Sequence, residues 1–194
     1  MTEITLLAPN YPRLLAMVAG ACTGAGANIV DAQISTTRDG MALDTIHLEH
    51  EFDHADDEER RAKRIAVSIE RLLKGEARLA EVVSTKRKPK AKLSAFKVEP
   101  QVVIDNTLSD ALTVIEINGL DRPGLLYDVT REISDMNLDI ASAHIATFGE
   151  KAVDVFYVTD LTGKKITSSS REAAIRERLM RALQARHDTP LVAA

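Results

Sequence analysis

The sequence predicts an α+β protein of two ferredoxin-like modules. Each has a β-α-β-β-α-β order, a four-stranded antiparallel sheet and both helices on one face. Three observations predict it. First, Asn10-Tyr11-Pro12-Arg13-Leu14-Leu15 returns about 111 residues later as Asp121-Arg122-Pro123-Gly124-Leu125-Leu126. Second, each of these segments follows a short apolar run and opens a helical pattern. Third, each copy leads without a gap into an alternating stretch, Asn28-Ile29-Val30-Asp31-Ala32-Gln33-Ile34 or Asp139-Ile140-Ala141-Ser142-Ala143-His144-Ile145. That is the period of a half-buried strand. Internal repetition outranks any local reading, because a missed repeat miscasts the whole fold. The 194 residues divide into 1–106 and 107–194, each near the lower end of domains that fold alone.

In the first copy, Ile4 to Ala8 reads as a mostly buried strand and Pro9 to Pro12 as the loop that starts a helix. Proline is tolerated in a first helical turn, where its missing N–H would be unpaired anyway. Leu14, Leu15, Val18, Ala19 and Cys22 recur at helical spacing, and Gly24-Ala25-Gly26 stops the helix. Ile29 to Thr37 and Met41 to Glu51 form a hairpin about Arg38-Asp39-Gly40, because Asp-Gly supplies the positive φ of a tight turn. Asp53 to Asp57 opens a second helix with acids at its positive end. Ile65, Ile69, Leu72 and Leu73 face its core, and Lys74-Gly75 closes it. Thr85 to Lys92 is a basic connector, read as solvated, and Val98 to Asn106 is the last strand of this copy.

The second copy repeats the order. Leu112 to Asn118 is its first strand, and Leu125, Leu126, Val129, Ile133 and Met136 line its first helix. Ile140 to Phe148 and Ala152 to Thr159 form a hairpin whose turn is one residue shorter. Arg171 to Arg186 is the second helix, with Ile175, Leu179 and Leu183 inward, and Leu191-Val192 is a stub of a final strand. The sheet face away from the helices is bare unless a second sheet or a neighbouring module covers it.

Composition narrows the function. The chain is 45% hydrophobic and 28% charged, like an ordinary globular protein. Its net charge of −4 argues against a nucleic-acid partner. No apolar run approaches the ~18 residues that cross a bilayer, and the N-terminus has no basic-then-apolar leader. The single cysteine, Cys22, allows no internal disulfide, reads as a core thiol, and fits a cytoplasmic location. His47, His50 and His54 with Asp53 and Asp56 read as a solvated hairpin end rather than a metal site. No nucleophile-base pair, phosphate loop or metal constellation marks a catalytic centre. The His187-Asp188 pair reads as tail.

The corner at Asp121-Arg122-Pro123-Gly124 is the candidate site. The first turn of a helix carries unpaired N–H groups and partial positive charge, so a carboxylate is stabilised there. Gly124 lets a ligand approach the backbone. Asp121 caps the helix or accepts from an ammonium group. N–H groups beside a carboxylate suit a zwitterion such as a free amino acid; a plain capped strand-to-helix junction is the alternative.

Asp121-Arg122-Pro123-Gly124-Leu125-Leu126 followed by Asn137-Leu138-Asp139-Ile140 resembles the ACT domain, a regulatory module that commonly binds amino acids in allosteric enzymes. The resemblance covers nearly the whole chain in two copies. The longer runs Gly119 to Asp128, Ile140 to Glu150, Ala152 to Val158 and Gly26 to Ile34 resemble the C-terminal ACT tandem of the enzymes that modify the PII nitrogen-signal protein. This resemblance implies a glutamine-sensing regulatory region. Its partners would be a free amino acid, the catalytic domains of the same enzyme and, through them, PII, with a homodimer left open. It implies no cofactor in this chain; Mg²⁺ is expected only in the absent catalytic domains. Carried over by residue, the binding positions are Asp121, Arg122, Pro123, Gly124 and Leu125 on the loop, with Asp139 and Ile140 on the strand edge. In the first copy they are Asn10, Asn28 and Ile29. There Arg13 replaces the glycine, so the first module is expected to supply a wall, with Asn28-Ile29 facing the second module's loop. The alternative function is a structural pairing module without ligand.

Overall fold

The computed structural model describes residues 2–52, 54–84 and 98–185. Strand β1 (Thr2–Pro9) leads to helix α1 (Leu14–Gly24), the hairpin β2 (Ile29–Thr36) and β3 (Met41–Leu48), then α2 (Ala55–Leu73) and the short α3 (Leu79–Ser84). The second half runs β4 (Gln101–Asp105), β5 (Thr113–Leu120), α4 (Leu125–Asp135), β6 (Leu138–Phe148), β7 (Lys151–Asp160) and α5 (Ser169–Gln184). The basic connector, the final-strand stub and the His187-Asp188 pair fall largely or wholly outside the described residues, as does Asp53 of the histidine cluster.

The repeat extends to backbone conformation. Arg13 and Gly124 precede α1 and α4 with nearly the same left-handed geometry, φ 82 and φ 80. After the same two helices, Gly26 and Asn137 both have positive φ, 74 and 56. Glycine and asparagine are the residues that tolerate this helix-ending position. Arg13 is the exception, since its Cβ makes the conformation unfavourable.

The strands form one seven-stranded antiparallel sheet in the order β1-β3-β2-β6-β7-β5-β4. The modules join edge to edge where β2 pairs with β6, with Ala32 opposite Ile145 and Ile34 opposite Ala143. Helix α1 packs against α4 across the same seam, flanked by α2 and α3 on one side and α5 on the other. Ile46, Ala32, Ile145, Phe156, Ile115 and Ile117 are buried on the helix-facing side. Edge-to-edge joining leaves the opposite face open, and Leu7 and Leu43 remain exposed on it.

Two features differ from the expected order. The strand expected to finish the first copy forms, but it pairs with β5 of the second, Val102 opposite Ile117 and Ile104 opposite Ile115. The expected boundary at 106/107 therefore separates β4 from its pairing partner. The first half contributes three strands, and β4 fills the fourth place beside β5. Backbone edges are chemically generic, so a strand's partner is decided by where the chain can reach and what its face can bury. Second, α3 was not anticipated. It packs on α1, where an added Cβ on Gly24 would strike the Val82 backbone and one on Gly20 would strike Leu79. The glycines let α3 approach closely, which side chains at those positions would prevent.

The second helix of the first copy is tied down by one carboxylate. Glu58 Oε1 accepts from the backbone N–H of Glu51 (2.6 Å) and Phe52 (2.8 Å), and Oε2 accepts from the Thr2 hydroxyl (2.7 Å). The buried Arg61 guanidinium lies beside it and donates to the Glu49 carbonyl. These donors outweigh desolvation and hold Glu58 down to about 2. Cys22 is buried in α1, and burial pushes its thiol up to about 12.

Candidate functional site

Under the β5–α4 corner lies a cavity of about 20 Å³. Both modules line it. Asp121, Arg122, Gly124, Leu125, Leu126 and Tyr127 come from the corner, and Ala27, Asn28 and Ile29 come from the start of β2. The cavity is thus at the seam, where the loop of the second module meets the first strand edge of the other. Its volume accommodates roughly one water.

The Asn28 side-chain amide donates to Asp121 Oδ2 at 3.1 Å, a direct link between the modules. Burial raises the Asp121 carboxyl above its ordinary range, opposed by the Asn28 hydrogen bond. The N–H of Leu125 is spent on the Arg122 carbonyl and that of Asp128 on the Gly124 carbonyl. Among the described residues, no backbone acceptor outside the helix meets the N–H groups of Leu126 and Tyr127. These first-turn donors sit at the positive end of α4, suited to an anionic oxygen.

The remaining expected positions divide by location. The Arg122 guanidinium turns toward α4 and α5, donating to Asp128 Oδ2 (2.8 Å) and to the Ala182 carbonyl (2.9 Å). It braces the loop. Pro123 is exposed and is not among the lining residues. Asn10, Asp139 and Ile140 do not line this cavity either. By the repeat offset they belong to the equivalent corner of the other module. There Asn10 donates to Thr36 Oγ1 (3.1 Å) and Thr36 donates to the Ala141 carbonyl (3.0 Å). Asp139 is raised by burial. Arg13, at the glycine's place, reaches across the seam to Asp135 at 3.0 Å.

Among the lining residues that were not expected, Asp154 alone is an acid. Asp154, in the middle of β7, is 2% exposed and reaches the cavity from the sheet. Its Oδ1 has no hydrogen-bond partner among the described residues. Burial, with Asp121 nearby, pushes its carboxyl up to about 7. Its counterpart in the first copy, Asp44 in β3, is 1% exposed, neither carboxyl oxygen has a hydrogen-bond partner among the described residues, and burial pushes it up to about 6. The pair is equivalent by pairing: Ile34 opposes Asp44 and Ile145 opposes Asp154. A sequence signal existed, since Asp154 shares strand parity with Ala152, Phe156 and Val158, and Asp44 with Ala42, Ile46 and Leu48. The shorter second hairpin moves this pair from an offset of 111 to 110, which hides it from simple alignment of the copies.

Among the described residues, no group of His, Cys, Asp and Glu is placed to hold a metal ion. His47 instead bridges Asp31 (2.8 Å) and Glu3 (3.2 Å) on the open sheet face. The Asp31 hydrogen bond is the main cause of its raised pKa. No described helix is long and apolar enough to cross a membrane.

Comparison with known proteins agrees with this architecture. Residues 101–188 match the family model of the ACR9-like, ACT-like domain, a span that begins with β4. The chain is 58% identical over 185 residues to the bifunctional uridylyltransferase/uridylyl-removing enzyme of Rhodopseudomonas palustris, covering 94% of this chain. The chain spans about 20% of the length of that relative. Residues 101–188 therefore belong to the ACT-like domains, and nearly the whole chain is homologous to one stretch of a uridylyltransferase/uridylyl-removing enzyme.

Proposed function

We propose that this chain is the glutamine-sensing regulatory region of a cytoplasmic PII uridylyltransferase/uridylyl-removing enzyme. The observation that carries the reading is the cavity shared between modules, with first-turn N–H groups, the half-buried Asp121 carboxylate and the buried Asp154 carboxylate around it. An amino acid's carboxylate is suited to the Leu126 and Tyr127 N–H groups, and its ammonium to Asp121. Catalysis, with its Mg²⁺ and its PII substrate, belongs to domains outside this chain.

The small size of the cavity supplies the mechanism. Glutamine fills far more than one water's space, so the ligand-bound state has a wider seam. Entry displaces the Asn28–Asp121 hydrogen bond and shifts α4 relative to α1. Ligand at 100 times its Kd in one state stabilises that state by about 2.7 kcal/mol. That changes a ratio of two activities about 100-fold.

Titration calorimetry on this chain tests the reading. Glutamine is expected to give a saturable heat, and Gly124→Arg to abolish it, because the new side chain occupies the approach to the helix end. Absence of heat with glutamine, or its persistence in Gly124→Arg, refutes the assignment. The open sheet face, with Leu7 and Leu43 exposed, favours a second reading in which the chain serves only as a pairing module. Concentration-dependent mass with no ligand heat distinguishes it.

A further inference from the structure

We propose that Asp154 selects the side chain of the bound amino acid, accepting a hydrogen bond from a terminal amide and rejecting a terminal carboxylate. This rests on the amino-acid reading above and assigns the determinant of its specificity.

The fold engages this carboxylate only weakly, through the Ala146 backbone N–H, which does not offset its burial. It projects among Ile117, Ile145, Ala152 and Phe156, positions that an apolar residue would fill without burying a polar group. Its Oδ1 lacks a hydrogen-bond partner among the described residues, and Asp154 is one of the residues that line the cavity. The Arg122 guanidinium, the basic group of the corner, is held by Asp128 and the Ala182 carbonyl. The cavity therefore has anion-binding N–H groups at the helix end and two acceptors elsewhere, Asp121 toward Asn28 and Asp154 on the sheet. A zwitterion uses the helix end and Asp121. The tip of its side chain then meets Asp154, which when ionised only accepts. A carboxamide N–H satisfies it; a carboxylate places a second negative charge against it.

The arrangement also links binding to protons. A glutamate side chain fits only if one proton is shared with Asp154, whereas glutamine requires none. The titratable groups around the cavity are Asp121, Arg122 and Tyr127 from the corner. The lining residues from α1, the start of β2 and β6 carry none. Glu49 acts on Asp121 from outside the wall. Preference for glutamine should therefore rise as pH rises.

Calorimetry with glutamine and with glutamate, at pH 6.5 and 8.5, on the whole chain provides the test. The wild type is expected to prefer glutamine on the order of 100-fold at pH 8.5 and about tenfold less strongly at pH 6.5. Asp154→Asn, whose amide both donates and accepts, should bring the ratio near one at both pH values. Asp44→Asn removes the equivalent buried acid away from this cavity and should retain the wild-type ratio. An unchanged ratio in Asp154→Asn, with a cooperative melt, overturns the proposal while leaving glutamine sensing intact. If that variant does not fold, a flat wild-type ratio between the two pH values overturns it equally. No heat with either amino acid overturns both readings.

Discussion

Replacing Asp154 with asparagine should change how stability depends on pH, apart from any ligand. The Asp154 carboxyl rises from its ordinary 3.8 to about 7 in the folded chain, because burial disfavours the charged form. Between those values the folded chain holds a proton that the unfolded chain has released. Stability therefore falls as pH rises through this window and levels off above about 7. At 1.36 kcal/mol per pH unit, the contribution to that fall is about 4 kcal/mol. Asp44, rising from 3.8 to about 6, adds a fall of about 3 kcal/mol over its narrower window. Glu58 acts oppositely: its carboxyl, held at about 2, stabilises the fold above its ordinary 4.5 and loses that contribution as pH falls toward 2. For these three groups taken together the maximum falls just below about pH 4 rather than at neutrality. Urea unfolding at pH 4.5 and 8 measures this directly. The wild type should lose several kcal/mol between the two, and Asp154→Asn should lose about 3 kcal/mol less, because only the part of the window above pH 4.5 is sampled. Parallel pH profiles for wild type and variant would refute the burial argument, whatever the absolute stabilities.

Other perturbations follow from single contacts. Glu58→Ala leaves two backbone N–H groups, the Thr2 hydroxyl and the buried Arg61 without their shared acceptor; a loss of about 3–5 kcal/mol is expected in chemical denaturation. Gly24→Ala drives a methyl into the Val82 backbone. It should cost about 1–3 kcal/mol and increase hydrogen exchange in α3 first. Gly124→Arg should still fold, because Arg13 already holds the same left-handed geometry in the other copy. Its stability should drop by only about 1–2 kcal/mol, so lost ligand heat in that variant reports on the site rather than on unfolding.

Much of this arrangement was legible in the chain. The recurrence of the 10–15 segment at 121–126 announced two equivalent strand-to-helix corners. Helical spacing in Leu14 to Cys22 and Leu125 to Ile133 identified the helices that meet at the seam. Asp121, Gly124, Asn28 and Ile29 were expected to face one another, and they line one cavity. Asp154 escaped notice because an acid flanked by Val153 and Val155 reads as the polar half of an alternating strand. Its parity with Phe156 said otherwise.

Local pattern is enough to set helices, hairpins and corner chemistry, since these depend on side-chain spacing and on which residues tolerate positive φ. Tertiary structure alone decided three other matters. It placed β4 beside β5, because any strand edge offers the same hydrogen bonds and only chain reach and burial choose among them. It joined the modules through β2 and β6, bringing Asn28 within 3.1 Å of Asp121, a contact across 93 positions of sequence. It turned Asp154 inward beneath the Gly124 corner, where packing from both halves buries the carboxylate and leaves its Oδ1 without a hydrogen-bond partner among the described residues.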